Sequence, residues 1–287
     1  MQYPDLESFL ADANTVLAKG PVALILAEDG VELASTIRHH LDAGFAQVCV
    51  FLQPDLGVDI KPEPNLHVIA YDHTAERSME TLINRVIEAA GNIWLYYCFN
   101  AEYLFYPFCE SRSIGEMLTF VTEERRDTVL TYVVDLYAGD LHRFTNAVSI
   151  EDAFLDRSGY YALNRKDKLK HDKERQMDFF GGLRWRFEEH IPMPRRRIDR
   201  VSLFRAKPGL KLQADHTFND EEYNTFACPW HHSPTAALAS FRTAKALKLN
   251  PGSTFDIETF RWHNSTSFEW HSQQLLDLGL MEPGQWF

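Results

Sequence analysis

WLYYCFNAEYLFYP, residues 94 to 107, opens as an unbroken apolar run and closes on Tyr106-Pro107. With Ile93 the run reaches Phe99 without a charge, and it is too short for a buried helix, so it predicts a strand covered on both faces. Reading backward, Leu66 to Tyr71, Gln47 to Leu52 (QVCVFL) and Val22 to Ala27 (VALILA) have the same character. Between them, Val31 to Leu41 and Ser78 to Ala90 place apolar residues at helical spacing and stop near Gly44 and Gly91. Residues 5 to 19 do the same with Leu6, Phe9, Leu10, Val16 and Leu17, and Gly20-Pro21 ends them. Strand and helix alternating through short connections predict an α/β fold, a mostly parallel central sheet with helices on both faces. Ligands of such sheets bind beyond the carboxyl ends of the strands.

Reading forward, Ser113 and Glu116 have the spacing of a capping box and predict a helix from Ser113 to Arg125. Thr128 to Val134 is a β-branched run that predicts a strand ending at Asp135. The polar stretch Asn164 to Gln176 predicts an exposed loop or flexible excursion, Gly181-Gly182 a turn, and Thr235 to Leu247 a helix. Residues 1–250 are expected to form the main domain. Residues 251–287, with Phe260, Trp262, Phe268 and Trp270, are expected to form an α+β extension that packs back on it.

A chain of 287 residues with 45% hydrophobic content can bury a substantial core. The formal charge of −12 argues against a general nucleic-acid binder, because phosphate backbones are held by clustered cations. The basic run Arg195, Arg196, Arg197 and Arg200 is a solvated face or an anion site. The cysteines, Cys49, Cys98, Cys109 and Cys228, form no CxxC pair and read as free thiols of a reducing compartment. The first twenty residues are acidic where a leader needs a basic region, and no apolar run approaches the roughly 20 residues of a membrane span. The expected location is the cytoplasm.

GxxxxGK[ST], GxGxxG after a strand, GxSxG and HExxH are all absent, which sets aside most kinases, dehydrogenases, α/β hydrolases and zinc proteases. Instead, the order of several short elements between Val22 and Lys248 resembles the nucleotide-sugar glycosyltransferases of family 2. Trp94 to Pro107 is similar to that family's strand, which begins with Trp and runs through Asp-x-Asp-Glu to Tyr-Pro. Val133 to Asp140 (VVDLYAGD) resembles its apolar strand ending in Asp-x-Tyr, and Phe179 to Phe187 (FFGGLRWRF) its Gly-Gly-x-Arg-x-Arg element. Leu212 to Phe218, with His216, is similar to its short segment before a His. Val22 to Ala27 with Glu28, His39-His40 and Gly44 is similar to its opening.

The resemblance implies a GT-A-like fold, a nucleotide-diphospho-sugar donor and an unidentified acceptor. It implies catalytic roles for Asp135 and Glu102, and substrate-binding roles for Glu28, Asp55, Arg184, Arg186 and His216. Each has a plainer reading: an ion pair for Glu102, a turn cap for Asp135, pairing with local acids for the arginines and a surface hydrogen bond for His216. The family's Mg²⁺ or Mn²⁺ is held by two aspartates, whose positions here are Phe99 and Ala101. Neither side chain is a ligand, so no metal and no cofactor are expected. A register moved by one residue would put Asn100 and Glu102 there, at the cost of the Trp and Tyr-Pro matches. His231-His232 after Cys228-Pro229-Trp230 does not have zinc-site spacing and reads as a turn. Two functions follow, an inverting sugar transfer in which arginines replace the metal, or a catalytically inactive pseudoglycosyltransferase that binds or regulates.

Overall fold

The computed structural model describes residues 1–225 and 233–286. The pair His231-His232 and its Cys-Pro-Trp neighbours lie outside the described residues. The chain divides into two compact units. The first comprises Met1–Ala101, Ser111–Val129 and Val201–Asn224; the second comprises Glu102–Glu110, Leu130–Arg200 and Thr225–Phe287.

The first unit is a three-layered α/β arrangement. Its sheet runs in the order Gln2–Tyr3, Leu66–Ala70, Gln47–Leu52, Val22–Ala27, Trp94–Phe99, all parallel. Leu203 to Arg205 then pair antiparallel with Trp94 to Tyr96. All six residues of Val22–Ala27 are buried, which explains a run with no polar alternation. Val22, Leu24 and Leu26 share a core with Leu95, Tyr97 and Phe99 and with Leu82, Ile83, Val86 and Ile87 of the helix Ser78–Ala89. On the opposite face, Tyr96 stacks on His40 of the helix Leu33–Asp42, with ring centroids 5.2 Å apart. Each aliphatic side chain so buried contributes about 1.5–3 kcal/mol. The helix Ile114–Glu123 starts at the expected capping box: Ser113 Oγ accepts from Glu116 N, and the Ser113 N–H donates to Glu116 Oε2 at 2.7 Å.

The second unit has a mixed sheet. Ala236–Ser240 lies parallel to Thr128–Ala138 on one side and antiparallel to Glu102–Phe105 on the other. Leu136 to Ala138 pair with Ala153–Asp156, which pairs in turn with Ser265–Ser267. The helices Gly182–Arg186 and Arg242–Leu249 pack through Leu183, Ala244 and Leu247 against Tyr137 and Phe260. Residues 251 to 286 belong to this unit, with Phe268 against Phe105 at 5.4 Å and Trp270 against Tyr103 at 4.9 Å. No helix among the described residues is long and apolar enough to cross a membrane.

Three expectations are corrected. The strand predicted to end at Asp135 continues to Ala138, so this carboxylate is interior to a strand. The polar stretch is exposed as expected but is a hairpin and not a loop, Tyr161–Lys166 with Asp172–Phe180, in which Asp167 Oδ1 fixes the turn by accepting the N–H groups of Leu169 and His171 at 2.8 Å each. The helix predicted from Thr235 is a strand, Ala236–Ser240, and only Arg242–Leu249 is helical. AALAS favours a helix by propensity, but a fully buried slot between two strands overrides it.

Candidate functional site

The sheet of the second unit lines up Glu102, Ser240 and Asp135 in one row, since Ser240 is opposite Glu102 on one side and opposite Asp135 on the other. Residues directly opposite share a face of the pleat, and two strand spacings put the outer Cα atoms roughly 10 Å apart. The two carboxylates meet different environments. Glu102 is 0% exposed, with Oε2 accepting from Arg200 Nη2 at 2.7 Å and Oε1 from Ser240 Oγ at 3.1 Å. That is a buried, hydrogen-bonded ion pair, the plainer of its two readings.

Asp135 is 1% exposed and half satisfied. Its Oδ2 accepts the Leu183 N–H at 2.9 Å, whereas Oδ1 has no hydrogen-bond partner among the described residues. Burial raises its pKa above the ordinary aspartate value. The Arg184 guanidinium, the Thr243 hydroxyl and the Leu183 N–H act in the other direction without cancelling it. The Gly-Gly element explains the close approach. Gly182 has φ +59°, and a Cβ there would lie 2.8 Å from Asp135 Oδ2. Only glycine takes that backbone shape at so short a distance without strain.

Arg184 donates from Nε to Thr243 Oγ1 at 3.2 Å and from Nη1 to the Arg197 carbonyl oxygen at 2.6 Å. Arg186 Nη1 reaches both oxygens of Asp156 at 3.1 and 3.2 Å, and its guanidinium lies 4.6 Å from the Trp262 ring centroid. Asp156, which sequence reasoning missed, is a hub: it also accepts from Tyr137 OH at 2.6 Å and Trp262 Nε1 at 2.8 Å. Its only sequence signal is a carboxylate closing the short run AFLD. Burial, then the neighbouring Asp156 and Asp135 charges, raise the Tyr160 phenol well above its ordinary range, and its oxygen has no partner among the described residues. Arg186, Tyr137 and Trp262 thus share one hydrogen-bonded network on Asp156, while Asp135 and Arg184 bond elsewhere and feel that network through charge alone.

The remaining candidates belong to the first unit. There Val22–Ala27 lies between Gln47–Leu52 and Trp94–Phe99, the topological switch point of the parallel sheet. Asn100 occupies its carboxyl end. The buried amide donates to Asp29 Oδ1 at 2.7 Å and to Val31 O at 2.9 Å, and accepts from the Glu28 N–H at 3.0 Å. Glu28 and Asp55 are exposed, the latter in the 3-10 turn Pro54–Leu56. His216 Nδ1 lies 3.0 Å from the hydroxyl of buried Tyr97, with the two rings stacked.

The residues present do not fit a divalent ion of the expected kind. Phe99 and Ala101 are buried core side chains, the Asn100 amide is committed to its loop, and Glu102 to Arg200. Among the described residues no three His, Cys, Asp or Glu side chains group closely enough to hold a metal. Three of the four arginines of the basic run are engaged, Arg196 with Glu188, Arg197 with Asp178 and Asp199, and Arg200 with Glu102, while Arg195 is exposed. An open recess of about 520 Å³ along the hairpin is lined by Arg165, Lys166, Asp172 and Asp178, which pair with one another, making it a solvated trough. No protein-family model matches the chain, and no curated protein matches its sequence.

Proposed function

We propose that this chain is a glycosyltransferase-like protein that moves a sugar from a nucleotide-diphospho-sugar to an acceptor hydroxyl, with Asp135 as the base. The similarity of its ordered motifs to family 2 carries the reaction class. The observation that carries the site is Asp135 itself, a buried carboxylate with one oxygen fixed by Leu183 N–H and the other unpaired. Burial raises the pKa of such a group and so strengthens it as a proton acceptor. In the reaction the acceptor oxygen attacks the anomeric carbon, the bond from that carbon to the diphosphate oxygen breaks with its electron pair staying on the diphosphate, and the acceptor proton passes to Asp135. Arg184 and Arg186 already have protein partners, so Arg186 holds Asp156 in place and Arg184 acts on Asp135 through its charge.

Phe99 and Ala101 favour a second reading, a pseudoglycosyltransferase that binds nucleotide and does not turn it over, because the strand delivers no oxygen ligand for the leaving diphosphate. Release of UDP or GDP from a panel of their sugar conjugates separates the two. Turnover that disappears in Asp135→Asn supports the enzyme. Nucleotide binding without turnover supports the pseudoenzyme, and a wild type that binds neither nucleotide overturns both.

A further inference from the structure

Trp185, on the helix Gly182–Arg186, is held in place and yet 42% exposed. Its ring lies against Gly159, where a Cβ would come within 3.0 Å of Cζ3 and 3.3 Å of Cε3. Gly159 has φ +94°, so its backbone shape and the ring against it both favour glycine. Beside Trp185 stands Trp262, with ring centroids 6.5 Å apart, itself fixed by the bond from Nε1 to Asp156 Oδ1 at 2.8 Å. The Trp185 indole N–H has no hydrogen-bond partner among the described residues. Tyr161, no more than about 7 Å of chain beyond Gly159, is 45% exposed, and its ring stacks on Phe180. The loops next to these rings are polar: Ser158 Oγ accepts from Asn264 Nδ2 at 2.8 Å, and Arg157 Nη2 donates to the His263 carbonyl oxygen at 3.3 Å.

We propose that Trp185 is the platform of a carbohydrate-binding subsite, on which the C–H face of a pyranose ring rests while the indole N–H donates to one of its oxygens, with Tyr161 flanking the neighbouring ring. A saccharide matches this surface chemically. Each of its rings has an apolar face and a rim of hydroxyls, and an exposed indole or phenol likewise joins an apolar body to a polar edge. A ring pinned before the ligand arrives loses little conformational entropy on binding. A protein partner would need on the order of 800 Å² of matching surface, whereas here two rings and Leu163 stand in a polar surround. A lipid surface would need a continuous apolar face edged with cations. The subsite rests on the transfer reading above, in which it holds the acceptor: the Leu183 N–H that fixes Asp135 and the Trp185 ring belong to one helix, about 3 Å of rise apart.

Chitobiose, cellobiose and lactose, titrated into nitrogen-labelled protein while the indole N–H resonances are followed, test this. At least one of them should move, saturably, the resonance that Trp185→Phe removes. Trp185→Ala should weaken that binding at least roughly tenfold, and Trp185→Phe, which keeps a ring and loses the donor, should weaken it less. A Trp185 resonance that none of the three disaccharides moves, or binding unchanged in Trp185→Ala, overturns the subsite. Should Trp185→Ala fail to fold, the wild-type resonance decides. The transfer reading fails separately. Disaccharide binding without release of UDP or GDP from any nucleotide-sugar leaves the subsite standing without the reaction, whereas turnover whose acceptor KM is unchanged in Trp185→Ala leaves the reaction standing and overturns the subsite.

Discussion

Glu102 and Asp135 occupy one row of a sheet, yet their side chains stand on opposite sides of the balance between stability and readiness to react. Glu102 is paired with Arg200 and Ser240, and Glu102→Ala should cost about 3–5 kcal/mol in denaturant unfolding, because a buried guanidinium loses its counter-charge. For Asp135 the sign is reversed. Its pKa is raised in the folded protein, so the native state holds the proton more tightly than the unfolded chain. Stability from this group is present at low pH, falls as pH rises from the ordinary carboxylate range through the raised value, and is lost above it. Asp135→Asn should therefore melt higher than the wild type at neutral pH, by on the order of 1 kcal/mol and roughly 2–4 °C. The gap should close on acidification, while turnover is abolished. Melts of both proteins between about pH 4 and 8 check this, and a variant that melts lower at neutral pH would show that the site prefers the charge.

At the scale of elements, the Gly-Gly-Leu-Arg turn matters more for what it lets approach than for its flexibility. Gly209 and Gly182 both have positive φ, +78° and +59°, but a Cβ at Gly209 meets nothing within 4 Å whereas one at Gly182 meets Asp135 Oδ2. Gly209→Ala should cost about 1 kcal/mol of backbone strain, and Gly182→Ala clearly more, because it adds displacement of a buried carboxylate. Urea unfolding of the pair separates the two contributions, and equal losses would mean that the contact at Gly182 relaxes freely. The same elements show what the sequence disclosed. Val22–Ala27 and Gln47–Leu52 match their predicted bounds, because a continuous apolar run between turn residues has few alternatives. Ser113 was legible because a capping box is a local device. Ala236–Ser240 was not, since what makes it a strand is its neighbours, Thr131 to Asp135 and Glu102 to Phe105, far away in sequence. Asp156 was invisible for the same reason: its role arises from contacts with Arg186 and Trp262, which no spacing rule announces. Asn100 was in view only as a substitute metal ligand, whereas its amide ties down residues 28 to 31.

For the whole molecule, charge sets the terms on which a diphosphate could bind. The chain carries a formal charge of −12, and Arg186, Arg196, Arg197 and Arg200 already have carboxylate partners. A cluster of uncompensated arginines would make nucleotide affinity fall steeply with salt. With these cations neutralised and the overall field negative, screening should instead relieve repulsion, so UDP and GDP affinity should stay flat or rise between low and moderate ionic strength. On the family 2 reading proposed above, metal should add little, because Phe99 and Ala101 take the places of that family's two aspartates. Replacing them does not restore a site: Phe99 is 5% exposed within the core of the first unit and Ala101 is 0% exposed with φ +59°, so Phe99→Asp and Ala101→Asp bury unpaired charge. The double variant is expected to lose several kcal/mol of stability, on the order of a buried unpaired group at each position, before it gains any affinity for Mn²⁺. Calorimetry with UDP and GDP, with and without Mn²⁺ and at two salt concentrations, tests the wild type directly. Tightening of tenfold or more by Mn²⁺, about 1.4 kcal/mol, would show that other carboxylates assemble a metal site and would overturn the metal-independent reading. A steep loss of affinity with salt would instead show that the arginines release their partners to take the diphosphate.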